Sequence, residues 1–148
     1  MEGLTDEEIS CWLRESSTIA VIGCSDRPDR TSYRIAGHLQ RAGYRILPVN
    51  PNIESTLGEK SYDSILTLPE KLKVDIINIF RNKKFTDKMM DQITQWSEQR
   101  GRKPLVWTQP GVSTEIAGKR ADEYQIPYVA NRCIMVEYSK LGAGRGGS

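Results

Sequence analysis

The sequence predicts a single domain of the α/β class, a doubly wound, mostly parallel sheet in three layers, α/β/α. Three observations predict it. Apolar runs alternate with helical patterns along the chain, the runs show little polar alternation, and 148 residues suffice for one buried core. A run such as Thr18-Ile19-Ala20-Val21-Ile22-Gly23 lacks the polar face of a half-solvated strand, so helices are expected to cover it on both sides. Parallel neighbours need crossovers, which are helical and right-handed in such sheets.

The elements follow in order. Thr5-Asp6-Glu7-Glu8 is a capping box, and Ile9, Trp12 and Leu13 recur at helical spacing, so a short amphipathic helix is expected to pack on the body. The first strand covers 18–23. A helix is expected over 32–42, with Ile35, Ala36 and Leu39 facing inward and Gly43 as its stop. The second strand, 45–49, contains Pro48, which lacks an N–H and argues for an edge or a bulge. Ser61-Tyr62 is expected as a very short third strand, followed by a loop and helical turn over 65–69. The fourth strand covers 74–80. A long helix over 86–100 carries Met89, Met90, Ile93 and Trp96 on one side and ends at Gly101. A strand over 104–108, a helix over 114–124 and a last strand over 127–130 complete the pattern. Trp96, Trp107 and the Met89-Met90 pair are read as core. Residues 1–17 are thus an N-terminal helix packed on the domain, 18–141 the domain itself, and 142–148, rich in glycine, a flexible tail.

Composition narrows the function classes. A net charge of +2, with 21 basic residues interspersed among 19 acidic ones, offers no basic stripe for nucleic acid. No apolar run is long enough to span a bilayer, and the acidic start lacks the basic and apolar regions of a secretory signal, so a cytoplasmic protein without a membrane partner is expected. The three scattered cysteines, Cys11, Cys24 and Cys133, form neither a disulfide framework nor a zinc motif. With one histidine, no metal site of the usual nitrogen and sulfur kind is expected. A nucleophilic triad or dyad would hang on that one residue, His38, which the pattern places on the surface of the first crossover helix.

In such a sheet, ligands sit beyond the carboxyl ends of the strands, where the strand order reverses. After the first strand stands Gly23-Cys24-Ser25-Asp26-Arg27-Pro28-Asp29-Arg30-Thr31-Ser32-Tyr33-Arg34. Gly23 admits a close backbone approach, Ser25 offers a hydroxyl, and a helix starting near Ser32 offers free N–H groups to an anion. Arg27, Arg30 and Arg34 add guanidinium groups suited to phosphate, and Arg81 follows the fourth strand directly. Read alone, the same residues also fit a tight turn beside solvated arginines. The fingerprint G-x-G-x-x-G is absent, the second strand ends in Asn50-Pro51 where an NAD site carries an acid, and no P-loop occurs. Cys24, near arginines and a helix start, is either a thiol of lowered pKa or a small buried filler. Cys133, beside Arg132, is either a packed cysteine or a partner for a mixed disulfide. Cys11 is read as helix packing only.

Several motifs in order point to one family. Ile22-Gly23-Cys24-Ser25 with Arg27-Pro28-Asp29-Arg30 and Ser32-Tyr33-Arg34 resembles the phosphate loop of the small stand-alone CoA-binding proteins. Their Rossmann-like domain is also similar to the CoA-binding domain of the succinyl-CoA synthetase α subunit. The resemblance continues through Gly43-Tyr44, Pro48-Val49-Asn50-Pro51-Asn52, Leu57-Gly58-Glu59-Lys60, Ile79-Phe80-Arg81, Gln109-Pro110-Gly111-Val112 and Asn131-Arg132-Cys133-Ile134-Met135-Val136-Glu137. It covers 19–141. It implies that Gly23, Cys24 and Ser25, with Arg30, Ser32, Tyr33 and Arg34 at the following helix, cradle the diphosphate of coenzyme A or an acyl-CoA. By the same resemblance Asn50, Pro51, Phe80 and Arg81 line the adenine and ribose side, while Gln109 and Cys133 close the crevice near the pantetheine arm. The chain departs from the family's commonest pattern at Cys24 and at Thr108-Gln109-Pro110. The synthetase's phosphorylated histidine has no counterpart here.

The expected function is therefore a CoA or acyl-CoA carrier, sensor or partner module without covalent chemistry of its own. It would serve an unidentified enzyme partner or act as a homo-oligomer. Two alternatives are a nicotinamide- or CoA-dependent oxidoreductase or transferase, and a redox-responsive interaction protein using Cys24 or Cys133. Against the enzyme stands the shortage of acid/base groups at the strand ends, where Asp26 and Asp29 read as turn formers.

Overall fold

The computed structural model describes residues 3–141. The capping box at Thr5 forms as expected: Thr5 Oγ1 accepts from the Glu8 N–H and Glu8 Oε1 from the Thr5 N–H, at 3.1 and 2.8 Å. It opens helix α1 (Asp6–Glu15), which buries Ile9 and Leu13. Strand β1 (Thr18–Ile22) leads to α2 (Thr31–Arg41) and β2 (Arg45–Val49). A hairpin of β3 (Ser55–Thr56) and β4 (Glu59–Lys60) and a 3-10 turn (Ile65–Thr67) precede β5 (Ile76–Ile79). Then come α3 (Thr86–Arg100), β6 (Leu105–Thr108), α4 (Glu115–Glu123), β7 (Tyr128–Val129) and α5 (Ile134–Ser139).

Five strands form one parallel sheet in the order β2-β1-β5-β6-β7. The chain builds outward from β1 to β2, crosses back to β5 on the other side of β1, and continues outward through β6 to β7. Alternate side chains then feed two cores. Ile19, Val21, Ile46, Ile76 and Trp107 meet residues of α1, α2 and α5 on one face. Ala20, Ile22, Leu47, Ile77 and Val106 meet α3, α4 and the 3-10 turn on the other. The class is the expected one, a doubly wound α/β domain in three layers.

Two local expectations need correction. Ser61-Tyr62 is not a strand of the sheet: Tyr62 makes a single parallel bridge to Val49, its N–H donating to the Pro48 carbonyl (3.0 Å) and its carbonyl accepting from the Asn50 N–H (2.8 Å). Pro48 fits this edge because the bridge uses its carbonyl and leaves no need for its missing N–H. The hairpin at 55–60 and helix α5 are additions. Cys11 is exposed, with its thiol on Glu15 Oε2 (2.8 Å), rather than packed.

Candidate functional site

At the carboxyl ends of β1 and β5, where the strand order reverses, lies a crevice of about 670 Å³, within the size range of small-molecule sites. Each wall comes from a segment that leaves a strand. Gly23 and Ser25 follow β1, and Asp29, Arg30, Thr31 and Ser32 form the entry to α2. Asn50, Pro51 and Asn52 follow β2, and Phe80, Arg81 and Asn82 follow β5.

The loop after β1 is held by a defined set of hydrogen bonds. Gly23 donates its N–H to the Val49 carbonyl (2.8 Å) and Phe80 its N–H to the Ile22 carbonyl (2.9 Å), so the three strand ends are tied together. Gly23 has φ +85, and a Cβ there would stand 3.2 Å from Cγ of Arg81; only glycine meets both conditions without strain. The Asn50 side-chain N–H donates to the Cys24 carbonyl (2.9 Å), and Asn50 Oδ1 accepts from the Asn52 N–H (2.9 Å). The Ser25 N–H donates to Ser32 Oγ (3.0 Å), while Ser25 Oγ accepts from the Arg27 N–H (3.0 Å), leaving the Ser25 hydroxyl proton to donate.

The electrostatics of the crevice favour an anion. No side chain caps α2, whose N-cap is Arg30, so the amides of its first turn keep their hydrogens for an external acceptor. The Arg81 guanidinium lies 4.2 Å from the Phe85 ring centroid, and among the described residues no carboxylate forms an ion pair with it. Asp29, the carboxylate in the lining, faces Arg27 at 3.8 Å. Uncapped amides, a hydroxyl and unpaired guanidinium groups are the donor set a diphosphate needs, so the residues present fit such a group.

Of the expected site residues, Gly23, Ser25, Arg30, Ser32, Asn50, Pro51, Phe80 and Arg81 are brought together here. Cys24, Tyr33, Arg34, Gln109 and Cys133 do not line the crevice. Cys24 turns its side chain inward, is fully buried, and burial pushes its thiol up to about 12, so of the two readings left open the buried filler fits and the thiol of lowered pKa does not. Arg34 is on the outside of α2, with its guanidinium on Thr31 Oγ1 (3.2 Å). Gln109 follows β6, beyond β5 from the crevice. Its Oε1 accepts from the Asn78 side chain (3.1 Å) and the Ile134 N–H (3.0 Å), so it anchors α5. Cys133 is the N-cap of α5 and packs on the core shared with α1 and α2. Asp29, read from sequence as a turn former, also lines the crevice, as do Thr31, Asn52 and Asn82, which were not singled out; each adjoins an expected site residue, and that adjacency was the available signal.

A second cavity, about 460 Å³ and mostly apolar, lies beside β7 and α4. There the Ser113 and Tyr128 hydroxyls are 2.8 Å apart, and burial raises the Tyr128 phenol above its ordinary pKa. Among the described residues no group of three or more potential metal ligands occurs, and no helix is long and apolar enough to cross a membrane.

An open parallel sheet with an anion-suited crevice at its order reversal defines the class of α/β domains that hold phosphate-bearing cofactors. Residues 17–139 match the family described as the CoA binding domain, and the chain belongs to that family. It is 33% identical over 139 residues to the protein YneT of Bacillus subtilis (strain 168), covering 94% of this chain and 98% of YneT. It is also 31% identical over 110 residues to acetate–CoA ligase [ADP-forming] II of Archaeoglobus fulgidus, but that match spans 73% of this chain and only 15% of the ligase. Among solved structures, a hypothetical protein from Pyrococcus horikoshii OT3 is similar with a TM-score of 0.83 and 37% identity, covering 94% of this chain and 93% of that one.

Proposed function

We propose that this protein binds coenzyme A or an acyl-CoA, with the diphosphate against the loop after β1 and the first turn of α2. The observation that carries the reading is the conjunction, in one crevice, of Gly23, the uncapped start of α2 and the guanidinium groups of Arg30 and Arg81. Phe80, Asn50 and Pro51 also line the crevice and suit the adenosine side. Family membership supports the same ligand.

Within this reading the protein acts as a carrier, a sensor or a module for a partner enzyme, in the cytoplasm, without covalent chemistry of its own. The crevice supports this because its lining holds one carboxylate, Asp29, and no histidine or cysteine side chain for proton or acyl transfer. A nicotinamide dinucleotide is disfavoured because Asn50, not an acid, stands at the end of β2.

Calorimetric titration with CoA, dephospho-CoA, NAD and ATP tests the reading. CoA is expected to bind, and more tightly than NAD. Ser25→Asp is expected to weaken CoA binding by at least roughly tenfold, since a carboxylate beside phosphate is repelled by a few kcal/mol at protein-surface dielectric. Tighter binding of NAD, or no binding of any of the four, refutes the assignment; unchanged affinity in Ser25→Asp moves the ligand elsewhere.

A further inference from the structure

We propose that the 55–60 hairpin is a buttress for the phosphate loop and that Thr56, at its turn, is a positioning residue for the bound diphosphate. The inference rests on the CoA reading above and deepens it, since it names what holds the site in shape.

The hairpin lies outside the main sheet and needs an explanation of its own. Its two central residues, Leu57 and Gly58, have φ of 55 and 75, both in the left-handed region. A two-residue turn of this kind matches the twist of the flanking strands, but a leucine there carries strain that persists only where surrounding contacts hold it. Those contacts reach both halves of the proposed anion site. The Thr56 hydroxyl donates to the Ser25 carbonyl at 3.1 Å, in a bond that is partly sheltered from water because Thr56 itself is 6% exposed. The next residue reaches the helix: the Leu57 carbonyl accepts from Gln40 Nε2 of α2 at 2.9 Å. The Leu57 side chain lies over Gly37, where a Cβ would come within 3.5 Å of its Cδ2. Adjacent hairpin residues thus grip the loop and the helix whose first turn faces the crevice.

The consequence is electrostatic. A peptide carbonyl turned toward a diphosphate repels it, and its N–H turned that way attracts it. Asn50 holds the Cys24 carbonyl and Thr56 holds the Ser25 carbonyl, so two successive carbonyls of the loop are engaged by donors of the protein itself. Without the Thr56 hydroxyl, the partly buried Ser25 carbonyl keeps only the long, weak Cys24 thiol contact (3.9 Å) and is free to rotate toward the ligand or to draw water into the loop. Affinity is then lost at the diphosphate, whatever group the ligand carries beyond it.

The test compares wild type, Thr56→Val and Thr56→Ser by calorimetric titration with CoA and with ADP, which shares the diphosphate but lacks the pantetheine arm. Thr56→Val is expected to weaken both ligands by up to roughly tenfold, the scale of one lost hydrogen bond, and Thr56→Ser to restore both to within about twofold. Equal affinities in wild type and Thr56→Val overturn the inference, as does an equal loss in Thr56→Ser, which would assign the effect to packing. Should Thr56→Val not fold, Gln40→Met decides: it removes the strap on Leu57 from the helix side, and unchanged ADP affinity there overturns the buttress. Failure of wild type to bind either ligand refutes the CoA reading itself, a result distinct from a wild type that binds with indifferent variants.

Discussion

Cys24 shows how far apart a residue's neighbours in sequence and in space can be. Its place in the loop after β1, next to arginines and a helix start, suits a lowered thiol pKa, yet its side chain points into the core and burial pushes the thiol up to about 12. The thiolate is the reactive form, and with a raised pKa the native thiol stays protonated until the pH climbs toward that value. Iodoacetamide at pH 8 is therefore expected to modify exposed Cys11 and half-buried Cys133 in the folded protein, and Cys24 only after unfolding; peptide mass spectrometry reads the three sites separately. Labelling of Cys24 at the rate of Cys11 would contradict its burial. Gly23, Ser25 and Arg81 were legible because they follow β1 and β5, the strands between which the order reverses. Gln109 and Cys133 were not, since the direction of a side chain leaving a strand is set by partners such as Asn78 and the Ile134 N–H, distant in sequence.

Elements differ in the same way. The long helix α3 follows the pattern read for it, from Thr86 to Arg100, because its apolar spacing and its terminal Gly101 agree. The hairpin escapes notice because Leu57 occupies a turn position where glycine or asparagine would announce it. Helix α5 escapes because it has only 6 residues and its N-cap, Cys133, makes no side-chain bond. At the opposite end of the sheet from the crevice, Asp75 knits elements together: its carboxylate accepts from the Ser17 and Thr18 N–H groups at 2.8 and 3.0 Å and pairs with Arg102. Asp75→Ala strands those two amides and is expected to cost about 2 kcal/mol of stability, or roughly 4–8 °C in Tm for a chain of this size. Thermal unfolding followed by circular dichroism measures it. CoA affinity should remain within about twofold of wild type, because the substitution is remote from the ligand; a large loss of affinity would show that the two ends of the sheet are coupled.

For the whole molecule, the strand order β2-β1-β5-β6-β7 links fold to function. Alternating apolar runs and helical patterns imply crossovers, crossovers in two directions imply an order reversal, and a reversal leaves a crevice between strand ends that diverge. That chain of reasoning needs no ligand, which is why the architecture and the place of the crevice were readable from residues alone. The cavities at the surface of the described residues include the polar crevice at β1 and β5 and the apolar one beside β7, and the account stands on the first. Amide chemical shifts of ¹⁵N-labelled protein titrated with CoA distinguish them directly. The account predicts the largest changes at Gly23, Ser25, Thr31, Ser32 and Arg81; changes centred on Ser113, Tyr128 and Val129, with Gly23 and Ser32 unmoved, would contradict it.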